Sequence, residues 1–342
     1  MFTKKRILLI GVALCLLLSI PFSTAYGADL ILRVSNAGPA VETDRTYIAN
    51  DTFKRYVEAN TDGRIQVETY HASELADERE TYEGMMLGTI EMGTLTTGPL
   101  PGFFKDIMVL DIPYLFESAP LAWEVMNGPF GEQMSDAILE ETGIRVLAWA
   151  DHGFRHFTND NRPIHGPEDM EGLRIRTMEN PAHMEMVRAL GADPTPMSFG
   201  ELYMGLEQGV VDGQETPITL INNMGFFEVQ EHLVLDGHLY NFLGLFINEG
   251  IYQSLDDHDA RVLREAAEIW EKVQTGYSRV QIERGVNELE EKGMKVTRLS
   301  PEQLEAFQEA TQGPVIDSLR GDIDEMWIDL IFEEIEKARE RL

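Results

Sequence analysis

The sequence predicts an α/β protein of two similar lobes joined by one long helix. Three observations carry this. Short apolar strands alternate with amphipathic helices along most of the chain, the pattern of layered α/β architecture. A pattern of helix end, glycine, short strand, acid or near-acid and glycine occurs twice, as GMMLGTIEMG (84–93) and MGLEQGVVDG (204–213). A proline-free segment from Asp256 to Lys292 places Val262, Ala266, Trp270, Val273, Tyr277 and Val280 at steps of three and four, which mark one face of a helix.

The elements follow in order. LILRVS (30–35) reads as the first strand, and residues 44–60 as a helix with Tyr47, Ile48, Phe53, Tyr56 and Val57 near helical spacing. Gly63 opens the strand RIQVETY (64–70), a helix runs from about Asp77 to Leu87, and Gly88 follows it, where glycine commonly ends a helix. TIEMGTL (89–95) is the next strand. In the second half Gly172 opens LRIRT, and a helix starts at Pro181, a residue suited to the first turn. FGELYMGLEQG (199–209) closes a helix on Gly209, and VVDGQ (210–214) reads as a strand. The long segment starts among Asp256, Asp257 and Asp259 and stops at Gly293, acids suiting the start and glycine the end. At 1.5 Å per residue it would run about 55 Å, more than one lobe is wide. Gly276 and Gly285 would permit a bend.

Residues 1–27 stand apart. Lys4, Lys5 and Arg6 precede an apolar run from Ile7 to Ile20, then Pro21 and small residues up to Gly27. This order is that of a secretory signal peptide cleaved near Gly27, and the run is too short for a comfortable membrane span. The single cysteine, Cys15, lies inside it. The exported chain would therefore have no disulfide and must rely on its cores. About 315 residues suffice for two lobes. The first is expected at residues 28–151 with about 240–275, the second at 152–239 with about 276–320, and a C-terminal helix at 321–342.

Acidic residues number 59 against 28 basic ones, a formal charge of −31. Removing Lys4, Lys5 and Arg6, with no acid among those residues, takes −31 to −34. Such a surface argues against nucleic acid or anionic membranes as partners. Catalytic signals are poor. There is no G-x-S-x-G elbow, no cysteine nucleophile and no G-x-x-x-x-G-K-[ST] loop. His152 and His156 are four apart, but Gly153 and the β-like FRHFTN argue against one helical face, so no metal site is expected. No cofactor is expected either, and the chain reads as a non-enzyme.

Arginine placement says more. In GLRIRTMENP (172–181) strand alternation puts Arg174 and Arg176 on one face. Arg176 lies near the carboxyl end of its strand, where ligands of open α/β sheets sit. Arg155 lies in the extended HGFRHFTN (152–159). Arginine grips a carboxylate with two parallel hydrogen bonds. Each is equally open to a structural role, and Arg174 reads as solvated or salt-bridged.

GFRHFTND, DMEGLRIRTMENP, PMSFGELYMGLEQGVVDGQETP and GRIQVETYHASELADERE together resemble the solute-binding proteins of tripartite ATP-independent periplasmic (TRAP) transporters. The likeness covers nearly all of the exported chain. It implies a two-lobed periplasmic binding protein fold with a hinge, closing on a small carboxylate, and membrane permease subunits as partners. It implies Arg176 as the principal carboxylate clamp and Arg155 as a second ligand-facing cation. By their places in those motifs, Asn36, Glu78, Thr96, His152, Phe199 and Thr216 would line the cleft. The family often has Asn where Thr216 follows the DGQE run, and a charged residue at the place of Thr96 in sialic-acid binders. A neutral Thr96 beside Glu78 suits a hydroxylated acid, so a uronate or aldonate is expected. A C4-dicarboxylate using Arg155 for its second carboxylate is the alternative, as is an input protein of a sensory system. A monomer is expected.

Overall fold

The computed structural model describes residues 28–342; the expected signal peptide lies outside them. β1 (Leu30–Asn36) turns Leu32 and Val34 inward. α1 (Arg45–Asn60) starts where the Asp44 carboxylate accepts the amides of Thr46 and Tyr47, satisfying donors that no helical turn can. β2 (Ile65–Tyr70) follows. α2 (Glu78–Leu87) has a reciprocal cap between Asp77 and Glu80 and ends on Gly88 at φ 71°, a left-handed conformation that glycine adopts without a Cβ clash. β3 (Met92–Thr96) is fully buried and begins later than the residues 89–95 expected for it, because the preceding turn is used to close α2.

Helices α3 (Ala119–Met126) and α4 (Pro129–Thr142) lead into β4 (Ile144–Asn159), the longest strand. β5 (Arg174–Thr177), α5 (Pro181–Ala189), β6 (Asp193–Pro196), α6 (Phe199–Glu207), β7 (Gly213–Pro217), α7 (Ile218–Asn223), β8 (His232–Leu235) and β9 (Leu239–Asn248) follow. The strand expected at 210–214 is displaced: Val210 to Asp212 form the turn, and pairing starts at Gly213. A Cβ on Gly213 would come 2.2 Å from the Thr158 carbonyl of β4, so the ladder to β4 admits only glycine there. The chain ends with α8 (Glu249–Ser254), α9 (Asp257–Glu291), β10 (Lys295–Arg298), α10 (Pro301–Leu319) and α11 (Glu325–Arg341).

The sheet order is β2-β1-β3-β9-β4-β7-β5-β6, with β8 pairing β4 and β10 at the side. Two parallel wings, β2-β1-β3 and β7-β5-β6, flank the antiparallel β4–β9 pair. This is the two-lobed α/β architecture that the alternation predicts. The β4–β9 register shifts between Asp151 and Gly153, leaving His152 as the unpaired residue of a bulge, with Gly153 at φ 105°. A bulge bends a strand and re-aims a side chain.

α9 is as long as the sequence implies and reaches both wings. Near its start Trp270 Nε1 donates to Asn50 of α1 at 2.9 Å and Glu265 accepts from Tyr56 at 2.8 Å. Near its end Gly285 lies against Ile218 of α7, where a Cβ would come within 2.5 Å. The largest buried cluster runs from Tyr82 and Leu95 through Trp149 and Phe246 to Ile175 and Met186, so the wings share a packed floor. A second cluster joins β1, β2 and α1 to Trp270, and a third joins α6 and α7 to Leu289.

Candidate ligand-binding site

β1, β3, β4, β5 and β7 bring residues from opposite wings to one small cavity between them. Asn36, Glu78, Thr96, His152, Arg155, Arg176, Phe199 and Thr216 all line it. They come from positions as far apart as 36 and 216, on strands and at the starts of α2 and α6, and only the fold makes them neighbours. Thr46, Thr94, Met178, Leu220 and Leu243 also line it and were not singled out in the sequence. Met178 lies two residues beyond Arg176, just past the end of β5.

The two arginines of β5 have different surroundings. Arg174 is solvent-exposed and gives two bonds to Asp212, 2.6 Å from Nη2 and 3.1 Å from Nε. Arg176 is 2 % exposed. Its Nε and Nη2 both donate to the Met197 carbonyl, at 2.9 and 2.8 Å, and Phe199 lies beside its plane. No carboxylate is within ion-pair distance of it among the described residues. Burial pushes its guanidinium down to about 10, against the pull of Glu215 and Glu78. A buried cation without a counter-ion is costly, and an anion arriving from solution would relieve that cost.

Arg155 is not free in this way. Its Nη2 donates to Glu215 Oε1 at 2.9 Å and to the Glu215 carbonyl at 2.6 Å, and its Nε also contacts the Glu215 carboxylate. Asn241 accepts from Nη1 at 3.2 Å. The second ligand-facing cation implied by the family likeness therefore lines the cavity with its charge already matched. Burial alone would raise the Glu215 carboxyl; the Arg155 charge and bonds from His183 and His238 outweigh it and hold it well below the usual range. His238 in turn lies 2.6 Å from Asp236. This network, absent from the sequence reading, sits behind the cavity and fixes the guanidinium of Arg155.

His152 presents a donor. Arg45 Nη1 donates to the His152 carbonyl at 2.9 Å, and Nη2 lies 3.2 Å from Nδ1. An arginine can only donate, so Nδ1 accepts and the ring proton is on Nε2. Burial, with the Arg45 and Arg155 charges beside it, holds the ring well below the usual imidazole range and thus neutral. Nε2 is buried without a partner among the described residues. His156, by contrast, accepts the Gly237 amide at 3.0 Å, so the two histidines face different partners.

Across the cavity, Glu78 begins α2. Its Oε1 accepts the Thr96 amide at 2.7 Å and its Oε2 the Thr96 hydroxyl at 3.1 Å. Burial raises its carboxyl, opposed by these bonds and by Arg176. Each oxygen keeps a further lone pair. Asn36 Oδ1 accepts the Gly38 amide at 2.5 Å, holding the loop after β1 beside the cavity. One wall accepts hydrogen bonds; the other carries the unmatched cation and the His152 donor.

Elsewhere Asp256, His258 and Asp259 cluster at the start of α9. Asp259 is taken by Arg64 at 2.6 and 2.7 Å, and Asp256 accepts the Asp259 amide.

A family profile described as bacterial extracellular solute-binding protein, family 7, matches residues 38–320. The chain belongs to this family. A solute-binding protein of Verminephrobacter eiseniae is 38% identical over 249 residues, 73% of this chain and 74% of that one. The crystal structure of a TRAP periplasmic solute-binding protein from Polaromonas sp. JS666 bound to D-erythronate matches with TM-score 0.83 and 34% identity, covering 88% of this chain and 98% of that one. The sugar-acid-binding protein DctPAm of Advenella mimigardefordensis, in complex with galactonate, matches with TM-score 0.86 and 28% identity, covering 90% and 98%. The family's members are periplasmic receptors, not enzymes; they bind small carboxylates and work with membrane permease subunits. Among the described residues no helix is long and apolar enough to cross a membrane.

Proposed function

We propose that this chain is the receptor of a TRAP transporter for a small hydroxylated acid of the sugar-acid class, exported by its N-terminal segment. Arg176 carries the reading: it is a cavity-lining guanidinium, 2 % exposed, and among the described residues it is held only by a carbonyl. A ligand carboxylate would supply its missing counter-ion. The His152 Nε2 proton would meet a second ligand oxygen, and Glu78, Thr96 and Asn36 would take hydroxyls. The erythronate and galactonate of the two similar structures are acids of this kind. The dicarboxylate alternative needs Arg155 for its far end, and Glu215 already matches that charge.

The discriminating experiment is a thermal-shift screen over aldonates, uronates, dicarboxylates and 2-oxo acids. A ligand at 100 times its dissociation constant stabilises by about 2.7 kcal/mol. Aldonates or uronates should raise the melting temperature and succinate should not. Succinate or malate as the best ligand, with sugar acids inert, would overturn the class while leaving Arg176 as the clamp.

A further inference from the structure

Met178 reaches from one wing to the other. It follows β5, and its sulfur lies 3.7 Å from the Thr96 hydroxyl at the end of β3. Its Sδ and Cε lie over Gly98, so close that a Cβ there would be 2.3 and 2.2 Å away. It is 5% exposed and lines the cavity between Arg176 and Thr96. The space left in that cavity is about 40 Å³. That is well below the roughly 150 Å³ that takes one benzene, so any acid anchored on Arg176 displaces Met178 or parts the wings, and a longer one must do so further. The thioether is therefore the wall that a ligand anchored on Arg176 meets as it lengthens toward Thr96.

We infer that Met178, seated on Gly98, sets the length of the acid, and that the receptor takes four-carbon acids in preference to six-carbon ones. This rests on Arg176 as anchor and deepens the proposed sugar-acid reading. Methionine is unbranched and flexible, so it yields to a short ligand at little cost. A six-carbon chain has to displace it altogether or hold the wings apart. Both other fittings of the wall are tight. Asn180, two residues on, donates to the Gly98 carbonyl at 3.0 Å and to Asp111 at 2.8 Å, so the backbone carrying Met178 cannot retreat.

The test is calorimetric titration of the purified protein with two length series: four- and six-carbon aldonates, and four- and six-carbon dicarboxylates. Wild type should prefer the four-carbon member by about tenfold or more, the scale of a misfitted methylene. Met178→Ala should reduce that ratio to about threefold or less, by gain of the six-carbon acid. Gly98→Ala should weaken the four-carbon acid at least about fivefold, and by less than about twofold when combined with Met178→Ala, because the clash then has no partner. A six-carbon acid preferred by wild type, or an unchanged ratio in Met178→Ala, overturns the length limit. The second series separates the two readings. Binding confined to dicarboxylates defeats the sugar-acid class and leaves the length limit to be judged on succinate against adipate. Binding of no member overturns both.

Discussion

Arg155 and Glu215 form a buried ion pair across the β4–β7 ladder, with side chains 2 and 0 % exposed. Arg176, on the next strand, has no such partner among the described residues. Of the two arginines that line the cavity, one has its charge matched by a carboxylate and the other donates to a carbonyl.

Arg176→Ala should abolish measurable binding while the circular dichroism and melting curve stay native. Removing one partner of a desolvated charge pair costs about 2–5 kcal/mol, roughly a 30- to 3,000-fold loss of affinity. Arg176→Lys should also bind poorly, since an ammonium lacks the planar fork. Arg174→Ala, which breaks only the exposed pair with Asp212, should stay within a few-fold of wild type. Wild-type affinity in Arg176→Ala would remove the clamp.

Arg155→Ala should behave differently and lower the melting temperature. It leaves Glu215 buried without its arginine, a loss of about 3–5 kcal/mol, equivalent to a drop of roughly 5–8 °C for a chain of this size. Unchanged melting would show that the pair contributes nothing.

The same network sets a pH dependence. Burial alone would lower His238, but Asp236 and Glu215 outweigh it and raise it to about 9. A raised folded pKa stabilises below the unfolded value of about 6.5, and this contribution is lost as pH climbs through 9. Wild type minus His238→Gln in melting temperature should be largest near pH 6 and shrink toward pH 9.5. A difference independent of pH would mean His238 is not charged in the folded protein.

Glu78→Gln should weaken a sugar acid and leave any dicarboxylate equal or stronger, because it removes a charged acceptor and a source of repulsion. Titration of the four-carbon erythronate and succinate against both proteins reads this directly. Weaker succinate binding in the variant would contradict it.

Asn223 donates to Asp44 Oδ2 at 2.9 Å, tying α7 to the start of α1 across the cleft. A ligand touching both wings should close them, since it shifts the equilibrium by its differential affinity for the two states. Small-angle scattering should show a smaller radius of gyration with a tight ligand. Asn223→Ala should cost about 1 kcal/mol, near fivefold in affinity. A saturated protein with an unchanged profile would count against hinge closure.

The sequence by itself determined the local architecture. Asp44, Asp77 and Asp256 announce helix starts through their side-chain oxygens, Gly88 and Gly293 announce ends through positive φ, and the periodicity from Val262 to Val273 marks the packed face of α9, whereas Tyr277 and Val280, expected on that face, are exposed and Gln274 and Ser278 are buried instead. These are effects of neighbours a few residues apart, and they are written in order along the chain. Arg176 and Arg155 could be singled out from their strands, but the other six cavity residues were legible only through the family likeness, because no local rule connects Asn36 to Thr216. Three matters were decided by tertiary structure alone. Alternation puts Arg174 and Arg176 on one face, but only the covering loop at Met197 buries the second. Glu215 matches Arg155 because antiparallel pairing sets Arg155 opposite Pro217 and Phe157 opposite Glu215, a register no stretch of either strand specifies. β7 starts at Gly213 because the Thr158 carbonyl leaves no room for a side chain. Charge balance and close approach belong to pairs distant in sequence, and the fold chooses those pairs.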